Sequence, residues 1–148
     1  MELMGTSPKI DLYSHTLFLR MVNAHGLASC DKDTFPQFLQ KPGLSMVVFI
    51  EDPNRMKETM DALVIAPELA KSCGLIEHKA VVGPPNARKL AVTYGFKRWP
   101  ALVFFRDGKY LGAVDGLRLW ADLVREADEI MHSEPHYPPS VGIPVRSI

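Results

Sequence analysis

Two cysteines, Cys30 and Cys73, are all that 148 residues contain, and they stand in no Cys-x-x-Cys arrangement. So sparse a supply argues against a disulfide framework and against a cysteine-ligated metal site, which would want more ligands. Long apolar runs are also missing. No stretch approaches the roughly 18 residues of a membrane-spanning helix, and Met1 to Lys9 lacks the apolar core of a secretion signal. A cytoplasmic protein that does not insert into a membrane is the expectation. Neither charge is in excess, since 17 lysines and arginines face 17 aspartates and glutamates. Nucleic acid, which needs a basic surface, is therefore not an expected partner. There is no internal repeat, and the length suits one domain able to bury a core without staples.

What is present is a dense run from Tyr94 to Gly112. Ala101 to Phe105 is a short continuous apolar segment that suits a strand covered on both faces. Asp107-Gly108 supplies the positive φ angles of a tight hairpin, and Tyr110-Leu111 continues as the second strand. Pro100 stands at the mouth of the first strand, where a missing N–H is tolerated. Trp99 before it raises the odds of a cis bond.

Along the rest of the chain, strand and helix alternate. Ser14 to Ala24 reads as a helix capped by Ser14 with Leu17, Phe18, Met21 and Val22 on one face, closed by Gly26. Leu27 to Cys30 is an edge-strand candidate, and Asp33 or Thr34 caps a brief helix carrying Phe35, Phe38 and Leu39. Leu44 to Ile50 is apolar enough for a central strand parallel to a neighbour. Asp52-Pro53 then has the N-cap and N1 chemistry that opens a helix, with a stripe at Met56, Met60, Leu63, Val64, Pro67, Ala70 and Cys73. Glu77 to Gly83 is a third strand, and Pro84-Pro85-Asn86 leads into a helix through Leu90 and Val92. Leu117 to Met131 is a final amphipathic helix with Trp120, Leu123, Val124, Ala127 and Ile130 inward. The domain is expected to span 1–131, and 132–148, with Pro135, Pro138, Pro139 and Pro144, to be an irregular or extended tail. This order predicts an α/β fold: a central mixed sheet of about five strands, ending in an antiparallel hairpin, with helices on both faces.

Residues 27–131 resemble the thioredoxin fold. Tyr94-Gly95-Phe96-Lys97-Arg98-Trp99-Pro100 is similar to the run that ends in the thioredoxin cis-proline, and Asp107-Gly108 to its hairpin turn. Gly116 resembles the glycine before its last helix, and Val64-Ile65-Ala66-Pro67 the kink after its active site. Where thioredoxins carry their two cysteines, Glu51-Asp52-Pro53-Asn54-Arg55 stands instead, and their buried aspartate corresponds to Val48. The resemblance therefore implies a groove without disulfide chemistry. A narrower one rests on Arg98-Trp99-Pro100-Ala101, Asp115-Gly116 and Trp120-Ala121-Asp122-Leu123, which look like hydrogenase expression/formation proteins of the HupG/HyaE type. That resemblance implies a non-catalytic bacterial chaperone in the maturation of membrane-bound nickel-iron uptake hydrogenases. Its partner would be the small-subunit precursor with its twin-arginine signal peptide, and other hydrogenase accessory proteins are possible partners. No cofactor or metal is implied for the protein itself.

The candidate binding residues fall in two groups. Arg98, Trp99 and Pro100 would form an edge against which an extended peptide pairs, with Trp99 as an apolar anchor unless it is spent in the core. Glu51, Asp52, Pro53, Asn54 and Arg55 occupy the lost active site. Glu51 and Asp52, with Glu58 and Asp61 further along, could meet client guanidinium groups, or Asp52 could simply cap a helix. His132 and His136 lack an obvious third ligand and read as surface residues, and Asp115 as a turn residue or a partner contact. Two other functions fit the same chain: a redox protein using a single thiol, or a structural thioredoxin-like subunit. Against the first, Cys73 precedes Gly74 at a helix C-terminus, the unfavourable end for a thiolate.

Overall fold

Val47, Val48, Phe49 and Ile50 are β-branched or aromatic, and a chain of such residues gains most where it is covered on both sides. In the computed structural model, which describes residues 9–139, they lie on or next to the middle strand of a five-stranded sheet and are fully buried. The expected tail positions 140–148, Pro144 among them, and the expected absence of a leader in residues 1–8 lie outside the described residues.

The strands are β1 (Leu27–Cys30), β2 (Leu44–Phe49), β3 (His78–Val82), β4 (Ala101–Arg106) and β5 (Lys109–Asp115). Their order across the sheet is β1-β3-β2-β4-β5, with β3 parallel to both β1 and β2 and the β2–β4 and β4–β5 pairs antiparallel. This is the mixed sheet that the alternation predicts. Asp107 and Gly108 adopt φ of 54° and 80°, the left-handed pair of a tight hairpin. A side chain at Gly108 would also run into the Leu39 carbonyl oxygen, so shape and space both demand glycine there.

The helices are α1 (Thr16–Ala24), α2 (Phe35–Phe38), α3 (Glu58–Cys73), α4 (Ala87–Ala91) and α5 (Trp120–Met131). Alternate residues of the central strands feed two cores. Met46, Val48, Ile50, Leu102 and Phe104 point into a largely aliphatic core under α1, α3 and α5. Val47, Phe49, Val103 and Phe105 point into a core dominated by rings, where Phe35, Phe38, Tyr94 and Tyr110 join them. Tyr94 stacks on Tyr110 with centroids 5.8 Å apart and meets Phe105 edge to face at 5.4 Å. Burial in this cluster pushes the Tyr94 phenol up to about 12.

Several local expectations are corrected. The N-cap of α1 is His15, whose ring nitrogen accepts from the Leu17 N–H; Ser14 sits in a preceding 3-10 turn and bonds Asp11. Of the two candidates ahead of α2, Thr34 is the N-cap residue, but its side chain makes no cap hydrogen bond, and the Asp31 carboxylate accepts from the N–H groups of Asp33 and Thr34. Asp52-Pro53 does not open α3. The Asp52 carboxylate accepts from the Asn54 N–H and side-chain amide, an Asx turn that competes with helix, and α3 begins at Glu58. The buried face of α3 runs through Ala62, Leu63, Ala66, Leu69 and Ala70, leaving Val64 exposed, and the helix passes through a buried Pro67. Trp120 is not inward: as the first residue of α5 it is 46% exposed, while Leu123, Ala127 and Met131 are buried.

After α5 the chain is extended and crosses the aromatic side. The Arg106 guanidinium donates to the carbonyls of Met131 and Ser133, the His136 N–H donates to the Tyr110 carbonyl, and the His136 ring meets Tyr110 edge to face at 5.3 Å. At its far end the Pro139 carbonyl lies where a side chain on Gly95 would have to be.

Candidate functional site

Because Phe49 pairs with Ala101 across the antiparallel β2–β4 ladder, the residues leaving β2 emerge opposite the residues entering β4. Glu51 thus arrives beside the Trp99-Pro100 bond, which is cis. The Trp99 loop is sewn down on both sides. The Pro100 carbonyl accepts from the Gly116 N–H at 2.8 Å, and the Asp115 carboxylate accepts from the N–H groups of Lys97 (2.8 Å) and Arg98 (3.1 Å). Asp115 also pairs with the guanidinium groups of Arg98 (3.6 Å) and Arg118 (3.7 Å). Burial would raise its carboxyl, but the two amides and the two cations together hold it below the ordinary carboxylate range. Between these anchors, the N–H and C=O of Trp99 make no hydrogen bond among the described residues.

The two sides of this loop differ. The Trp99 ring packs edge to face on Phe96 with centroids 5.1 Å apart, and Phe96 packs in turn on Phe49 at 5.5 Å. With Arg88, Ala91, Val92 and Gly95, the rings of Trp99 and Phe96 line a shallow groove of about 200 Å³. Pro100 is buried on the other side, above a narrow cleft walled by Ile65, Leu117 and Leu123. Trp99 is therefore half-buried, with one part of its ring in the aromatic core and the rest in the groove.

The Glu51 side chain is 6% exposed and ion-paired with Arg88 of α4, whose own side chain is 63% exposed. The Arg88 Cζ stands 5.2 Å from the centre of the Trp99 ring. A carboxylate this buried needs a cation, and Arg88 supplies it. The expected carboxylate pair is accordingly split: Glu51 faces inward to Arg88, and Asp52 is occupied by Asn54, whose N–H contacts hold it below the ordinary carboxylate range. Asn54 also exchanges two hydrogen bonds with the backbone of Ile10, at 2.8 and 2.7 Å. Pro53 is buried and Arg55 exposed. The structure thus brings Glu51, Trp99 and Pro100 together, with Arg98 alongside, and sends Asp52, Asn54 and Arg55 into a turn tied to the N-terminal segment.

Sequence reasoning missed Arg88, Phe96 and Val92, and gave Asp115 less than its due. A glutamate following the apolar run Met46 to Ile50 was a signal that a cation must come to meet it, but not from where. The thiols lie elsewhere: Cys30 is buried, Cys73 is partly buried at the end of α3, and burial pushes both up. His132 bonds the Asp128 carbonyl and His136 lies on Tyr110. Among the described residues no three His, Cys, Asp or Glu side chains stand close enough to hold a metal ion, and no helix is long and apolar enough to cross a membrane.

Comparison with solved structures agrees with this architecture. The J-Trx1 fragment of ERdj5 superposes with a TM-score of 0.55 at 21% identity, over 73% of this chain and 53% of that one. A chain from the complex of ferredoxin:thioredoxin reductase with thioredoxin f2 gives 0.53 at 18% identity, over 71% of this chain and 94% of that one. The class is thus a thioredoxin-like domain, here with no cysteine pair and with a carboxylate–guanidinium–indole stack beside its cis-proline. At the level of sequence, residues 17–123 match the family model described as "Hydrogenase-1 expression protein HyaE", and the chain belongs to that family. It is 34% identical to the hydrogenase expression/formation protein HoxO of Cupriavidus necator, over 86% of this chain and 81% of that protein. It is 30% identical to HoxO of Azotobacter vinelandii (87% and 86%) and 32% identical to HupG of Rhodobacter capsulatus (76% and 75%).

Proposed function

We propose that this protein is a non-catalytic cytoplasmic chaperone in the maturation of a membrane-bound nickel-iron uptake hydrogenase, and that it binds the small-subunit precursor through its twin-arginine signal peptide. Family membership supports a role in hydrogenase expression and formation. The observation that carries the finer reading is the Trp99 backbone, its loop held by Asp115 and Gly116 and its N–H and C=O unpaired among the described residues, beside a half-exposed indole. A client strand laid along it would gain backbone hydrogen bonds from Trp99 and bury a side chain in the groove of Arg88, Val92 and Phe96. Trp is an anchor type that dominates interfaces, and the fixed loop spares the client much of the ordering cost.

A single-thiol redox role draws no support from the site, since both thiols lie away from the Trp99 groove and burial pushes both up. The test is capture of the purified small-subunit precursor, with and without its signal peptide, by the wild-type protein and by Trp99→Ala. Retention of the full precursor, loss on removing the signal peptide and loss in Trp99→Ala are expected. Equal retention with and without the signal peptide would overturn the reading.

A further inference from the structure

Arg88 has the surroundings of a bound guanidinium rather than of a surface cation. Beneath it is the buried Glu51 carboxylate, beside it the face of Trp99, and its other side is open to the groove. A carboxylate with an aromatic wall selects a planar guanidinium over a compact ammonium, because only the former can hydrogen-bond in its plane and stack on the ring at once. We infer that Glu51 and Trp99 form an arginine-reading site, that Arg88 is its internal occupant, and that an arginine side chain of the client peptide displaces it. The inference rests on the client reading above and assigns the site within it.

Three features support the exchange. A buried carboxylate resists losing its partner to nothing, but trading one guanidinium for another leaves it paired throughout. Arg88 is mostly exposed and sits on a helix of five residues, so its long side chain can swing into water. The Trp99 backbone, unpaired among the described residues, adjoins the same ring, so a peptide strand docked there would project alternate side chains toward Glu51. Arg88 then acts as a selectivity filter: a peptide that brings no guanidinium cannot open the site, and one that does must outcompete the resident.

Titration calorimetry with two synthetic peptides tests this, one carrying Arg-Arg ahead of an apolar run and the other Lys-Lys. The wild-type protein is expected to prefer the Arg-Arg peptide by on the order of tenfold. Arg88→Ala, which vacates the site, is expected to bind that peptide on the order of tenfold tighter still. Separately, millimolar methylguanidinium should raise the unfolding temperature of Arg88→Ala, methylammonium should not, and neither should act on Arg88→Ala/Glu51→Gln. If Arg88→Ala does not fold, Arg88→Lys replaces it, with a smaller gain expected. Unchanged or weaker binding by the Arg88 variants would overturn the displacement while leaving the client reading intact. Failure of both peptides to bind either protein would overturn the client reading and the displacement with it, even where methylguanidinium still stabilises Arg88→Ala.

Discussion

One face of the sheet lies under helices of 9, 16 and 12 residues and is filled mainly by aliphatic side chains, whereas the other lies under helices of four and five residues and is filled mainly by rings. A long helix delivers a row of side chains at spacings of three and four, so Leu, Ile and Ala suffice to cover a strand. A helix of one turn delivers two or three. Here α2 delivers Phe35 and Phe38 and α4 only Ala87 and Ala91, so the covering is completed by Tyr94 beyond α4 and by the extended residues after α5. Rings meet edge to face at fixed distances and leave openings at their perimeter, and the Trp99 groove is such an opening. The face with the shortest covering elements is thus also the face that carries the Trp99 groove and the exposed side chain of Arg88.

The largest test of that contrast is a pair of truncations. Phe49→Ala should cost about 4 kcal/mol, and Leu63→Ala, equally buried on the inner face of α3, about 3 kcal/mol, in denaturant unfolding. A reversed order would mean that the aliphatic side sets the stability of both. Next, Arg106→Ala removes the clamp on Met131 and Ser133 and should cost about 2 kcal/mol. Hydrogen exchange would sharpen the contrast: the His136 amide should lose protection while the α3 amides keep theirs, and equal loss in both would contradict separate coverings.

A smaller effect concerns pH. The Asp115 carboxyl is lowered in the folded state, so it contributes stability above the unfolded value of about 4, and that contribution fades as pH falls through the still lower folded value. Asp115→Asn should therefore flatten stability against pH below about 4. An unchanged acid limb would show that the loop is held by the Pro100–Gly116 bond alone. The smallest effect is expected for Trp120→Ser, about 0.5 kcal/mol, because nearly half of that residue is exposed and it belongs to neither core.

How much of this was written in the sequence depends on the distance over which each feature is decided. The strands and the hairpin were legible because Val47 to Ile50, Ala101 to Phe105 and Asp107-Gly108 declare themselves within a few residues. The start of α3 was not, because Asp52 is equally suited to an Asx turn and Ile10, 44 positions away in Asn54's hydrogen bond, helps decide between them. Trp120 fitted the stripe of α5 by spacing alone, but a first-turn residue can sit on the right face and still overhang the edge of the core. Arg88 was invisible for the same reason as Asn54's partner: its pairing with Glu51 spans 37 positions and exists only once the sheet has formed. Trp99 and Pro100 could be named from their motif, whereas the charge beside the indole could not.

The two tryptophans also differ in a way that experiment can use directly. Trp99 is half-buried with a guanidinium over its face, and Trp120 is wet at the start of α5. Replacing Trp120 by phenylalanine leaves one indole, so the emission spectrum of that variant reports on a single place in the molecule. Because a departing cation and an arriving peptide both alter the polarity around that ring, occupancy of the groove can be followed in real time without attaching a dye.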